Sequence, residues 1–204
     1  MISLIDYGVG NINAFLNIFK QLGIAANKAS SSEDIKRATK LILPGVGAFD
    51  DAMQRLNASG MRDALQDAVM VNNIPVIGIC VGMQMLADRS DEGVMPGLGW
   101  ISGEVKRFDP ATINHITKFP HMGWNDVKPV RENPLFTGLE TDARFYFLHS
   151  YYYQCAHQED VLATSSYGLQ FASAINHNHI YGIQCHPEKS HHFGIQLLQN
   201  FANL

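Results

Sequence analysis

Cys80 lies in the run Gly78-Ile79-Cys80-Val81-Gly82-Met83-Gln84. The apolar stretch Pro75-Val76-Ile77 precedes it, and Met83, Leu86 and Ala87 follow at helical spacing. Gly-x-Cys-x-Gly between a strand and a helix is the cysteine form of the elbow that exposes a nucleophile to a carbonyl substrate. On so sharp a turn, neighbours without a β-carbon avoid a clash. A helix start also supplies free amide hydrogens and the positive end of a dipole, which favour thiolate over thiol. The N–H of Val81 would then point to where an oxyanion forms. Buried cysteines are ordinarily packing residues; the glycines and the strand argue for chemistry here.

A thiol nucleophile needs a base, and the base needs an orienting group. Of the nine histidines, His186 in Gly182-Ile183-Gln184-Cys185-His186-Pro187-Glu188-Lys189-Ser190 is best placed. It follows an apolar strand, and Pro187 forces extended backbone on it. Residues i and i+2 of an extended segment share a side, so Glu188 is expected to reach the far nitrogen of His186. His177 and His179 flank Asn178 at a hairpin tip, and His191 and His192 face solvent at the start of the last helix. No cluster has zinc-ligand spacing, so no metal is expected.

Two glycine loops follow apolar strands. Gly8-Val9-Gly10-Asn11 resembles half of a dinucleotide fingerprint, but Asn13 stands where the third glycine belongs and no acidic residue closes a second strand. A tight strand–helix turn explains it better, and no cofactor is expected. Pro44-Gly45-Val46-Gly47 should open on the same sheet edge as Cys80. Glycines on both sides of Val46 let its peptide turn and offer an N–H to an oxyanion; an ordinary flexible turn accounts for them equally well.

The elements that must position these groups read as one α/β domain over residues 1–204. Strands at 2–5, 24–28, 41–43 and 75–79 alternate with helices at 12–22 and 53–70, as in a parallel sheet covered on both faces. Strands at 100–108, 144–149, 161–166, 169–175 and 180–185 follow with short links, which suggests an antiparallel extension, and a helix over 193–202 closes the chain. Hydrophobic residues form 46% of the 204 and charged residues 17%, which suits a chain that buries a sizeable core. The net charge of -4 gives no general attraction to nucleic acid or anionic membrane. No apolar run is long enough to span a bilayer. With Met1 leading straight into a strand and three cysteines without framework spacing, a reducing cytoplasmic setting is expected.

Together these residues resemble the class I, triad-type glutamine amidotransferases, which have a three-layer, flavodoxin-like α/β/α fold. Gly78 to Gln84 is similar to their nucleophile motif, Pro44 to Gly47 to their oxyanion strand, and His186-Pro187-Glu188 to their His–Glu pair. Within the class, Pro120-His121-Met122-Gly123-Trp124-Asn125 and Tyr146-Phe147-Leu148-His149-Ser150-Tyr151 resemble the glutaminase subunits of imidazole glycerol phosphate synthase. The resemblance implies a Cys80–His186–Glu188 triad, with Val81, Val46 and Gly47 at the oxyanion. It implies that Gln84, Glu92, Gly45 and the backbone of Ser150 and Tyr151 hold glutamine. It further implies that Asn11, Trp124, Tyr146 and Lys189 face a (β/α)8-barrel cyclase, which receives the ammonia in histidine biosynthesis. Two features depart from the pattern. Cys185 replaces the usual aromatic beside His186, and Lys189-Ser190-His191-His192-Phe193-Gly194 is similar to paralogues that supply ammonia for nucleotide-sugar modification. A stand-alone γ-glutamyl amide hydrolase, a non-catalytic subunit and a nucleotide binder of the same fold are the competing readings.

Overall fold

In the computed structural model, residues 1–114 and 118–204 are described. The chain runs β1 (Ile2–Ile5), α1 (Ile12–Gln21), β2 (Ala26–Ala29), α2 (Ser32–Lys36), β3 (Lys40–Gly45), α3 (Phe49–Ala58), α4 (Arg62–Gln66), β4 (Val76–Cys80) and α5 (Val81–Gln84). It continues through β5 (Arg89–Ser90), β6 (Gly103–Arg107), β7 (His121–Asp126), β8 (Lys128–Pro129), β9 (Arg144–His149) and β10 (Tyr151–Cys155). It ends with β11 (Val161–Tyr167), β12 (Leu169–His177), β13 (Ile180–Ile183) and α6 (His191–Asn203).

Runs that bury both faces must lie inside a sheet, and β1 and β4 are buried at every position. They belong to the order β2-β1-β3-β4-β13-β12-β10-β6-β5, with β11 on β12 and β8 on β11. The first five strands are mutually parallel, and β12 then turns the sheet antiparallel. Right-handed crossovers send α1 to one face and α2 to α4 to the other. Accordingly α1 packs on α6, and α2 on α4. The apolar side chains of α1 at Ile12, Phe15 and Phe19 are buried against the sheet. Truncating a fully buried Phe19 would cost about 3–5 kcal/mol.

The expected α/β sheet with a parallel first half and an antiparallel extension is present, with local corrections. The single helix expected over 53–70 is two helices, followed by a π-helical turn at Asp67–Val71. The break falls at Ser59-Gly60. Ser59 Oγ donates to the Leu56 carbonyl and accepts from Met61 N, while Gly60 takes φ +72°. The second strand begins two residues later than expected, and the strand of 100–108 contracts to β6. β13 belongs to both halves, antiparallel to β12 and parallel to β4. Strands β7 and β10 were not anticipated, and neither was α2. The last is capped by Ser31, which accepts from Asp34 N at 3.2 Å. β7 and β9 form a separate two-stranded ribbon beside the main sheet. Among the described residues no helix is long and apolar enough to cross a membrane.

Candidate active site

Parallel sheets present ligand sites at the carboxyl ends of their strands, and three such ends converge here. Gly45 and Cys80 are register partners at the ends of β3 and β4. Ile183 lies opposite Ile79, so the chain leaving β13 carries Gln184, Cys185 and His186 past the same edge. Cys80 has φ 56° and ψ −113°, a conformation that few non-glycine residues adopt. The flanking glycines are required by proximity. A β-carbon on Gly82 would stand 1.9 Å from the Leu43 carbonyl oxygen, and one on Gly78 2.5 Å from the Gly82 oxygen.

His186 is 4% exposed, hydrogen-bonds the Glu188 side chain and shares a cavity wall with Cys80. Its Nδ1 lies 2.9 Å from Glu188 Oε1, which leaves Nε2 for the sulfur. The route to that pair differs from the expected extended segment. His186 itself is extended, but Pro187–Lys189 forms a 3-10 turn, and the turn brings Glu188 back to the imidazole. Burial alone would lower the His186 pKa. The hydrogen bonds and opposing charges of Cys80 and Glu188 outweigh it and push the group up to about 10. The imidazole is therefore a cation at neutral pH, the partner a thiolate needs.

These groups open on a cavity of about 340 Å³. Its wall includes Cys80, Val81, Val46 and Gly47 on one side, and Gln84, Glu92, Ser150 and Tyr151 on another. Asn11, His186, Glu188 and Lys189 complete the part anticipated from sequence. Gly45 sits beneath the elbow, where a β-carbon would meet Gly82 N at 2.3 Å. Trp124 and Tyr146 lie outside this wall, on the β7–β9 ribbon, where they are cross-strand partners. The Lys189 ammonium stands 5.7 Å over the Tyr146 ring, and His191 stacks on Trp124 at 5.4 Å with an interplanar angle of 4°. The ribbon thus continues from the cavity mouth.

The turn of Gly8 and Gly10 after β1 has a packing reason. Both take positive φ, and a β-carbon on Gly10 would stand 2.8 Å from Pro44 Cβ, so this turn packs against the Pro44–Gly47 segment.

Residues 3–203 match the family described as Glutamine amidotransferase class-I. The chain belongs to that family. It is 55% identical to the imidazole glycerol phosphate synthase subunit HisH of Bdellovibrio bacteriovorus, over all of both chains. It is 50% identical, again over all of both, to the imidazole glycerol phosphate synthase subunit HisH 2 of Pseudomonas aeruginosa. A solved structure described as a glutamine amidotransferase superposes with a TM-score of 0.76 at 18% identity, covering 100% of this chain and 99% of that one; that likeness bears on the fold.

In this class I amidotransferase several site-adjacent groups escaped sequence reasoning. Gln184 is fully buried and donates from Nε2 to Cys80 Sγ at 3.7 Å and accepts at Oε1 from Gln84 Nε2 at 3.0 Å. Its place beside Cys185 and His186 was the available signal. Tyr7 is buried and donates to the Pro44 carbonyl at 2.6 Å, pinning the start of the Pro44–Gly47 segment; burial pushes its hydroxyl pKa up. Ser190 Oγ donates to the His186 carbonyl at 2.6 Å and accepts from Tyr146 N at 3.0 Å. Glu92 is held by more than one partner: Oε2 accepts from Phe49 N at the start of α3, and its own N–H bonds Ser90 Oγ. Burial raises the Glu92 pKa in spite of that hydrogen bond.

Proposed function

We propose that this amidotransferase is the glutaminase subunit of an imidazole glycerol phosphate synthase, and that Cys80, His186 and Glu188 are its catalytic triad. The observation that carries the reading is a strained cysteine elbow and a buried, carboxylate-oriented imidazole that line one cavity. Full-length identity with HisH subunits supports the pathway.

The chemistry follows from these atoms. The Cys80 sulfur attacks the side-chain amide carbon of glutamine, and the new oxyanion meets the N–H groups of Val81 and Val46. The His186 imidazolium gives its proton to the departing nitrogen, the C–N bond breaks, and ammonia leaves behind a γ-glutamyl thioester. Having lost that proton, His186 is the base that takes one from water, which attacks the thioester and releases glutamate. Glu188 holds the imidazole in the required orientation throughout. Gln84, Glu92, Gly45 and the Ser150–Tyr151 backbone hold the amino-acid end. Gly47, at φ +87°, lets the Val46 peptide turn toward the oxyanion.

The ammonia is passed to a partner, for which we propose a (β/α)8-barrel cyclase. Trp124 and Met122 are 40% and 60% exposed on the ribbon, and Val46 is 42% exposed near the cavity mouth. Large apolar side chains beside an active-site mouth suit a docking surface, with Asn11, Tyr146 and Lys189 at the same contact. The chain works as one domain in the cytoplasm within such a heterodimer. A second reading keeps the same half-reaction but delivers ammonia to a nucleotide-sugar acceptor. The similarity of the segment beginning at Lys189 to such paralogues favours it.

Glutamine hydrolysis by wild type and Cys80→Ala, with and without a barrel cyclase and its nucleotide ligand, tests the assignment. Activity confined to the loaded complex and lost in Cys80→Ala supports it. Full activity without any partner would favour a stand-alone hydrolase. Silence with the histidine-pathway cyclase would move the assignment to the sugar-modifying reading.

A further inference from the structure

Beside the triad lies a pair of buried histidines that the mechanism does not use. His121 on β7 and His149 at the end of β9 are cross-strand partners, 4% and 6% exposed, with His121 Nδ1 2.9 Å from His149 Nε2. Their proton positions follow from their other neighbours. A carbonyl oxygen only accepts, so His149 Nδ1, 2.7 Å from the Tyr151 carbonyl, carries a hydrogen. With His149 neutral, its Nε2 accepts from His121 Nδ1. The Nε2 of His121 then accepts from Asn125 Nδ2, at 3.2 Å. The Asn125 amide is oriented by the Ser166 carbonyl, to which it donates at 2.9 Å, and by Asp126 N, from which its Oδ1 accepts.

The environment keeps both rings in place. His121 stacks on Phe147 and Tyr167, and His149 packs on Phe108 and Phe171. Burial first, and then the His121 ring, push the His149 pKa down to about 3. His149 is thus neutral at physiological pH.

The chain of donors ends on the oxygen that also holds Gln84. Tyr151 O accepts from Gln84 Nε2 at 3.3 Å, and Gln184 Oε1 accepts from the same nitrogen at 3.0 Å. With both amide hydrogens engaged, Gln84 offers the cavity an acceptor, its Oε1, which is the group a ligand ammonium needs. A Tyr151 carbonyl that drifted would leave the amide held by Gln184 alone, with less to keep it from turning to present a donor.

We infer that His121 and His149 are positioning residues for substrate recognition, fixing the Tyr151 carbonyl so that Gln84 presents its oxygen to the α-ammonium of glutamine. The inference rests on the glutaminase reading above. It places the effect in glutamine binding and leaves the reactivity of the sulfur alone.

The test compares His149→Phe, which keeps a ring and loses both nitrogens, with His149→Asn, whose amide nitrogen can stand where Nδ1 stands. Glutamine turnover in the full chain with its cyclase should show KM raised about ten-fold in His149→Phe and kcat within about three-fold, the size expected for one lost buried hydrogen bond. His149→Asn should recover most of the loss. Alkylation of Cys80 by iodoacetamide should match wild type in both, while labelling by a glutamine-shaped diazoketone should slow in His149→Phe alone. Unchanged KM in His149→Phe overturns the inference, as does an equal KM change in both variants, which would assign the effect to ring volume. If His149→Phe does not fold, His121→Phe carries the same comparison, because its ring retains the stack on Phe147 and Tyr167. A wild-type chain that the diazoketone fails to label at Cys80 would instead defeat the glutaminase reading itself.

Discussion

At the scale of single residues, the site depends on atoms that are absent as much as on those that react. Gly82→Ala would drive a β-carbon into the Leu43 carbonyl at 1.9 Å, a backbone atom that cannot step aside. We expect it to cost about 3 kcal/mol or more. In a chain of this size that lowers the melting midpoint by roughly 6–12 °C, measurable by scanning calorimetry. His186 sets a second expectation. Its pKa is raised from 6.5 to about 10, so its stabilising contribution is complete below pH 6.5 and fades as pH climbs toward 10. Melting midpoints of wild type and His186→Gln should therefore lie furthest apart near pH 6 and draw together toward pH 10. A constant gap would contradict the pairing. The placement of Cys80, His186 and Glu188, the proposed nucleophile, base and acid, was legible because strand–glycine–cysteine and His-Pro-Glu carry their geometry in local sequence. Gln184 and Tyr7 were not, since each acts through a contact made by strands distant in sequence, Gln184 with Cys80 and Tyr7 with Pro44.

At the scale of elements, the loop bearing His186 is fastened to the outer ribbon at two points. The His186 N–H donates to the Tyr146 carbonyl at 2.8 Å, and Ser190 Oγ bridges Tyr146 N to the His186 carbonyl. Ser190→Ala leaves a part-buried N–H without that acceptor, at about 1 kcal/mol. The variant should show a lower melting midpoint together with a kcat for glutamine reduced by about ten-fold or more, read in steady-state assays. An unaltered kcat would mean that the fastening serves stability alone. The ribbon also shows why element assignment from sequence stops where it does. Along β7 the buried side is led by a histidine, while Met122 and Trp124 face outward. Alternation there is inverted relative to a half-buried strand, so the segment did not read as one. The helix over 53–70 failed for another reason: its apolar spacing persists across Ser59-Gly60, although the backbone does not. The Ser31-x-x-Asp34 capping pattern, by contrast, was present to be read.

At the scale of the whole molecule, the outward apolar face of the ribbon is where an association energy should concentrate. Trp124 is half-exposed and touches Tyr146 and His191. Trp124→Ala should weaken binding of the proposed barrel cyclase by about 2 kcal/mol, roughly thirty-fold in the dissociation constant. The isolated chain should melt within about 2 °C of wild type. Titration calorimetry and a melting curve check the two halves of that statement. The place of β13 has a consequence of a different kind. It lies between β4 and β12, joining the parallel half of the sheet to the antiparallel half, yet it is the last strand made. Until it leaves the ribosome, β4 has an open edge where β13 will pair, and the main sheet lacks the seam that unites its halves. His186 follows that strand directly. With the proposed triad, a nascent chain carries its cysteine long before the base that completes the site, and the growing polypeptide would not consume glutamine.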